Sequence, residues 1–320
     1  MVGAEAMAAA VAALRAGDVI GLPTETVYGL AADASNPAAV ARIFAIKGRP
    51  SSHPVIVHLA DATQVPLWAR EVPPAAVALA ERFWPGPLTL VLPRAASVPL
   101  AVTGGQDTVA VRVPSHPIAL AVLRAFGGGL AAPSANRYGR ISPTTAAHVR
   151  EDLGHDVRIV LDGGPATVGL ESTIVSCLAD GVRVLRPGHI AADAISDVVG
   201  ALLGPPDETT PRVPGSVVSH YAPHTPVDLV PPDAVADALQ AHIAAGRRLA
   251  VLAPGPPTIE VPAIVCWLAA AADPDVYGHD LYAHLRTLDQ AGADVIVVAH
   301  PPEGHRWVAV LDRLTRAAAR

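Results

Sequence analysis

Three short polar islands interrupt an otherwise apolar first half: PTETVYGL at 23–30, KGRP at 47–50 and PSANRYG at 133–139. Only 16% of the 320 residues are charged, so this clustering points to a site. The islands offer Lys, Arg, Ser, Thr and Asn, donors suited to holding phosphates and carboxylates rather than to covalent catalysis. No Gly-x-Ser-x-Gly elbow, Walker GK[ST] loop or HExxH occurs, and the histidines lack metal spacing. Serine-hydrolase, P-loop and zinc-protease chemistry therefore fail at their motifs.

Each island also has a plainer reading. Lys47 and Arg49 end a helix, where exposed basic residues commonly answer the carbonyl dipole. Pro50 stops that helix at once, and His53 and His58 follow, so several donors converge at a helix-to-strand junction. Thr24, Thr26 and Tyr28 either cap a turn and cover the core, or place hydroxyls at the carboxyl end of a strand, where α/β sheets bind ligands. Ser134 and Asn136 share a loop. Ser142, before Pro143, is either the cap of the next helix or part of a phosphate cradle beside a helix start. Arg112 interrupts the alternating strand VAVRV and Arg186 ends another in LRPG; a half-buried arginine needs an anion or an outlet to water. Ser172 in GLEST adds a donor from a separate part of the chain.

The elements that must position these groups follow from periodicity and punctuation. Helices are expected over 4–16, 37–47, 74–83, 117–126 and 143–153. Strands are expected over 18–22, 55–59, 88–92, 108–113, 157–161, 173–177 and 182–185. Alternation puts Thr108, Ala110 and Arg112 on one face, and the Asp180-Gly181 turn calls for an antiparallel pair, hence a mixed sheet. Residues 204–226 are proline-rich and aperiodic: a loose spacer, or a segment folded over the site through Ser219, His220 and Tyr221. Beyond it, strands at 227–230, 249–252 and 294–298 with helices at 234–245, 281–291 and 307–315 give a smaller parallel α/β unit without GxGxxG. The expected division is 1–203, 204–226 and 227–320.

Twenty-three Lys and Arg against 29 Asp and Glu give a net charge of −6, which disfavours broad nucleic-acid binding. Cys177 and Cys266 read as buried free thiols, and no signal sequence or membrane span is evident, so a soluble cytoplasmic protein is expected.

PTETVYGL, KGRPSSHPVIVH, RFWPGPLTLVL, TVAVRVPSHP, APSANRYGRISPT, LDGG, GLESTIV and LRPG stand in an order that resembles the YrdC/Sua5 family of L-threonylcarbamoyladenylate synthases. SHYAPHTP after a proline-rich stretch resembles the two-domain Sua5-like form. The resemblance implies a YrdC-like twisted mixed sheet with flanking helices, then a smaller Rossmann-like α/β domain. It further implies an enzyme that converts L-threonine, bicarbonate or CO2, and ATP with its Mg2+ to threonylcarbamoyl-AMP and pyrophosphate. The product serves tRNA adenosine 37 through downstream transfer proteins, and direct tRNA binding is not required.

By the same resemblance, Thr26, His58, Arg112, Ala132 and Ser172 bind threonine, with Ala132 standing where some relatives carry threonine. Lys47 and Arg49 act on the reacting phosphates; Arg49, His53, Thr108, Ser134, Asn136, Ser142, Arg186 and Tyr221 contact the nucleotide. No metal ligand belongs to the chain itself. Two other readings stay open: an RNA-binding or assembly factor using residues 137–140, and a different carbamoyl-transfer chemistry.

Overall fold

A computed structural model describes residues 3–215, 220–256 and 262–319. Two compact units emerge, Met1–Tyr138 with Ser142–Ser216, and Gly139–Ile141 with Val217–Arg320.

The first unit runs α1 (Ala4–Arg15), β1 (Ile20–Leu22), β2 (Gly29–Asp33), α2 (Pro37–Lys47), β3 (Ile56–His58), α3 (Pro74–Phe83), β4 (Leu88–Pro93), α4 (Leu100–Thr103), β5 (Thr108–Arg112), α5 (Pro117–Phe126), β6 (Leu130–Ala131), α6 (Ala146–Leu153), β7 (Ile159–Val160), β8 (Thr173–Leu178), β9 (Gly181–Arg186) and α7 (Ala192–Val199). Helices α2, α3 and α5 begin where expected because each opens on proline, whose fixed φ and missing N–H suit the first helical position. Asn36 caps α2 by accepting from the N–H groups of Ala38 and Ala39 at 3.0 and 3.3 Å. Gly48, at φ +63°, closes the same helix in the left-handed region, which makes Lys47 its last residue.

The strands form one mixed sheet of order β7-β1-β2-β6-β3-β5-β4-β8-β9. Strands β3 and β5 are parallel, with His58 registered beside Arg112, whereas β4 lies antiparallel to β5. Alternation sends Val57, Leu90, Leu92, Val109 and Val111 into the main core, leaving Ile56, Val91, Ala110 and Arg112 on the opposite face. There Ile56, Val91, Ala110, Ile174 and Leu185 form a second apolar cluster, joined by Val213.

That contact decides the nature of residues 204–215, which are fastened down and do not form a loose spacer. Arg183 Nη1 donates to the carbonyls of Gly204 and Pro205 at 3.1 and 2.6 Å. The Gln106 amide exchanges two bonds with the Arg212 backbone, at 3.0 and 2.7 Å. Burying Val213 adds about 2 kcal/mol. Ser219 lies outside the described residues.

Sequence pattern missed β2, β6 and α7. The GLAAD of β2 has no β-branched residue and β6 has two residues only, so pairing with neighbours, not propensity, makes them strands. The helix expected from 143 starts at Ala146, because the cap is Thr145, which accepts from the His148 N–H at 3.2 Å. Ser142 is therefore not a helix cap, and the PSAN loop does not abut a helix start.

The second unit contains β10 (Val227–Val230), α8 (Val235–Ala244), β11 (Leu249–Ala253), β12 (Ile264–Ala269), α9 (Pro274–Gln290), β13 (Val295–Ala299) and α10 (Val308–Ala318). Its sheet is parallel throughout, in the order β10-β13-β11-β12. Helix α9 begins well before the expected 281, since Asp273 accepts from the N–H groups of Asp275 and Val276 and Pro274 sits at the first position. The unexpected β12 is a half-exposed edge strand without clean alternation. Cys177 is buried and its thiol is pushed up to about 12 by that burial, but Cys266 is only partly buried, against expectation. Among the described residues no helix is long and apolar enough to cross a membrane.

Candidate active site

The three islands are physically joined. Leu30 N–H donates to Pro133 O at 2.7 Å, Ala135 N–H donates to Tyr28 O at 2.8 Å, and Gly29 bridges Ser134, so the third island is laid along the end of the first. Lys47 ties the second to the third: its Nζ donates to the carbonyls of Ser134 and Asn136, both at 2.6 Å, with Asn136 Oδ1 at 3.4 Å.

Lys47 is not the exposed helix-end residue expected from sequence; it is 3% accessible. Gly48 turns the chain sharply and the PSAN loop closes over the ammonium. Burial, reinforced by the Arg49 charge, pushes the ammonium well below the usual lysine range. Arg49 is buried too; its Nη2 donates to Pro54 O at 2.8 Å and its guanidinium lies 5.7 Å from the Tyr138 ring centre. The Tyr138 hydroxyl meets His53 Nδ1 at 3.1 Å. Burial, with Arg49 and Arg212 nearby, lowers the His53 pKa.

Arg112 centres a second cluster. Its Nε donates to Gly86 O at 3.1 Å, Nη1 to Thr26 Oγ1 at 2.9 Å and Nη2 to Glu25 Oε1 at 2.6 Å. A guanidinium has five N–H groups, so one on each Nη has no partner among the described residues, the set a carboxylate takes in a bidentate pair. Thr26 is fixed through Thr24, whose hydroxyl lies 2.9 Å from it and donates to Val27 O at 2.6 Å. Burial is the largest influence on Glu25 and opposes its ionisation, but the Arg112 charge and hydrogen bond, together with the backbone N–H groups of Glu25 and Ser115, outweigh it and hold the carboxyl below its usual range. His58, beside Arg112 in register, is pushed down to about 3 by burial and by that guanidinium, so its imidazole is neutral. Ala132 donates its N–H to Ile56 O at 3.0 Å and faces Gly29 closely.

Ser172 and Arg186 form a third group. Arg186 Nη2 donates to Ser172 O at 2.8 Å, Nη1 reaches Pro214 O at 2.9 Å, and the Ser172 hydroxyl lies 2.7 Å from Thr89 Oγ1. Gly188 makes this packing possible: a Cβ there would come within 2.4 Å of Thr173 N. Ser142 donates to Glu171 Oε1 at 2.5 Å. Thr108 shares the face of Arg112 but lies at the start of β5, about 13 Å along the strand.

Tyr221 belongs to the second unit. Its ring stacks on Tyr282 at 5.8 Å with the Arg313 guanidinium 5.0 Å from its centre, and its φ is +61°. It is buried there rather than standing as an exposed loop tip.

Sequence reasoning did not single out Glu25, Thr89 or Glu171 as site residues, and it named Tyr138 only for the RNA-binding alternative. Glu25 and Tyr138 lie inside the islands and Glu171 inside GLEST, so proximity was the available signal; Thr89 had none beyond its position in a strand. The apolar cavity of 510 Å³ lined by Val65, Ala76, Trp84, Leu90 and Val113 takes Leu90 and Leu92 from the sheet face opposite Arg112, away from these groups.

Comparison with known proteins places this geometry in a class. The Sua5/YciO/YrdC family model, described as telomere recombination, matches residues 12–188, and that of the threonylcarbamoyl-AMP synthase C-terminal domain matches residues 190–319. The chain belongs to the Sua5/YrdC family of nucleotidyltransferases, in its two-domain Sua5 form. It is 40% identical to the threonylcarbamoyl-AMP synthase of Bacillus subtilis, over 98% of this chain and 92% of that one. Its identity to the Pyrococcus abyssi synthase is 39%, over 95% and 92%. The crystal structure of P. abyssi Sua5 complexed with L-threonine superposes with a TM-score of 0.90 at 37% identity, covering 98% of this chain and 94% of that one.

Proposed function

We propose that this enzyme joins L-threonine, bicarbonate or CO2, and ATP into L-threonylcarbamoyl-AMP, releasing pyrophosphate, for N6-threonylcarbamoyladenosine at position 37 of tRNA. The observation that carries this reading is the buried Arg112, with one N–H left on each Nη beside the Thr26 hydroxyl and a neutral His58. Arg112 takes the threonine carboxylate, and Thr26, His58, Ser172 and the wall at Ala132 surround the rest of the amino acid.

The threonine ammonium gives up a proton to water to become the amine, the amine captures CO2 as a carbamate with loss of a second proton, and a carbamate oxygen attacks the α-phosphorus while pyrophosphate leaves. No enzyme nucleophile is needed; positioning and charge carry the step. Arg49 balances phosphate charge directly. Lys47 acts through the loop it holds, fixing the backbone at Ser134 and Asn136 by its two hydrogen bonds. His53, Thr108, Ser134, Asn136, Ser142 and Arg186 receive the nucleotide, which enters as its Mg2+ complex, and exclusion of water from it protects the labile carbamate. The mixed anhydride then passes to a separate tRNA-modifying transfer protein, in the cytoplasm.

The test is direct. Purified protein with MgATP is expected to release pyrophosphate only when threonine and bicarbonate are both present, with threonylcarbamoyl-AMP seen by mass spectrometry. Threonine-independent release would refute the reading.

A further inference from the structure

Glu25 is a buried carboxylate that the proposed mechanism leaves without a task. Its Oε1 pairs with Arg112, and the two side chains are 6% and 3% exposed. Its Oε2 is buried and has no hydrogen-bond partner among the described residues. An unsatisfied acceptor in such a place costs about 1–3 kcal/mol, and more when charged. The turn that carries it is fixed on both sides, by Val168 N–H on Glu25 O at 2.7 Å and by Thr24 on Val27 O at 2.6 Å. The pair thus has spare capacity of both signs: donors on Arg112 and an acceptor on Glu25.

An α-amino acid presents the complementary set, a carboxylate and an ammonium on one carbon. We propose that Glu25 receives the α-ammonium of threonine beside the Arg112 guanidinium, so that the ion pair reads a zwitterion rather than an anion. A neutral pair admits a zwitterion without change of net charge. A lone arginine in the same place would admit any small anion, and the other two substrates, bicarbonate and ATP, are both anionic. The inference rests on the reading of Arg112 as the carboxylate site and extends it to substrate selection.

Calorimetric binding of L-threonine and of its des-amino analogue 3-hydroxybutyrate separates the possibilities. Glu25→Gln is expected to weaken threonine at least tenfold while 3-hydroxybutyrate binds as tightly as to wild type, or more tightly because a negative charge near its carboxylate is gone. Equal weakening of both ligands would mean that Glu25 only orients Arg112, and unchanged threonine binding would likewise overturn the proposal. Should Glu25→Gln fail to fold, Glu25→Asp keeps the charge but withdraws the oxygen; threonine is again expected to weaken more than the analogue, and equal weakening overturns the idea there too. Arg112→Ala is the control for the underlying reading: it is expected to weaken both ligands, and unchanged binding of both would remove the carboxylate site itself.

Discussion

Arg112 and Lys47 are both buried basic side chains, yet their surroundings satisfy them in opposite ways. Arg112 faces a carboxylate at 2.6 Å and retains N–H groups with no partner among the described residues. Lys47 has no carboxylate at ion-pair distance among the described residues, and its contacts all go to the Ser134–Asn136 stretch of its own protein. A cation with donors to spare can bind a ligand, whereas one satisfied by its own loop shapes the place where the ligand binds. Residue type does not distinguish the two cases; donor accounting does.

The sharpest way to break this contrast is Lys47→Ala. It strands two buried carbonyls, so a loss of about 3 kcal/mol in folding stability is expected by denaturant titration, with activity falling alongside. A stable but inactive variant would restore Lys47 to direct ligand contact and erase the distinction. Arg112→Ala removes the partner of a buried carboxylate; a similar loss, about 3 kcal/mol, is expected, and steady-state kinetics should show the threonine KM rising more than the ATP KM.

The neutral His58 next to Arg112 makes the same region acid-sensitive. Its folded pKa near 3 lies far below the unfolded value of about 6.5. Between these values the unfolded chain binds the extra proton, so stability falls as pH falls, by about 2 kcal/mol at pH 5. His58→Gln should flatten the pH 5–7 stability curve by that amount relative to wild type. Glu25, with its lowered pKa, contributes stability that is lost only at lower pH, as the medium passes down through its folded value, so the two are separable.

Smaller effects mark the edges of the site. Ser142→Ala breaks a hydrogen bond to a carboxylate and should cost about 1.5 kcal/mol in thermal denaturation. Arg137→Ala, by contrast, loses an exposed hydrogen bond to the Ile46 carbonyl and a pair with Asp156 that is half-exposed on both sides, and should stay within about 1 kcal/mol.

Much of the fold was legible. Proline at the first helical position and Pro50 just beyond the end fixed α2 to the residue, and alternation in TVAVR placed Arg112 on one face with Thr108 and Ala110. The strands β2 and β6 were not legible, being small-residue or two-residue segments whose state depends on pairing with other strands, β1 and β6 for β2, β2 and β3 for β6. The same limit governed the site. Island clustering identified the neighbourhood, but Lys47 read as exposed because nothing local shows that a loop 87 residues later closes over it. Ser142 stayed open between a helix cap and a phosphate contact because its partner, Glu171, lies 29 residues away.

By itself, then, the sequence determined most of the helices and the longer strands, the mixed sheet, the polar inventory and the family, since these depend on local backbone preference and ordered motifs. Tertiary structure alone decided which charges are paired, which are satisfied by backbone and which keep a valence for a ligand. Those outcomes depend on distances between residues remote in the chain and on the exclusion of water around them, and neither is a property of any segment taken alone.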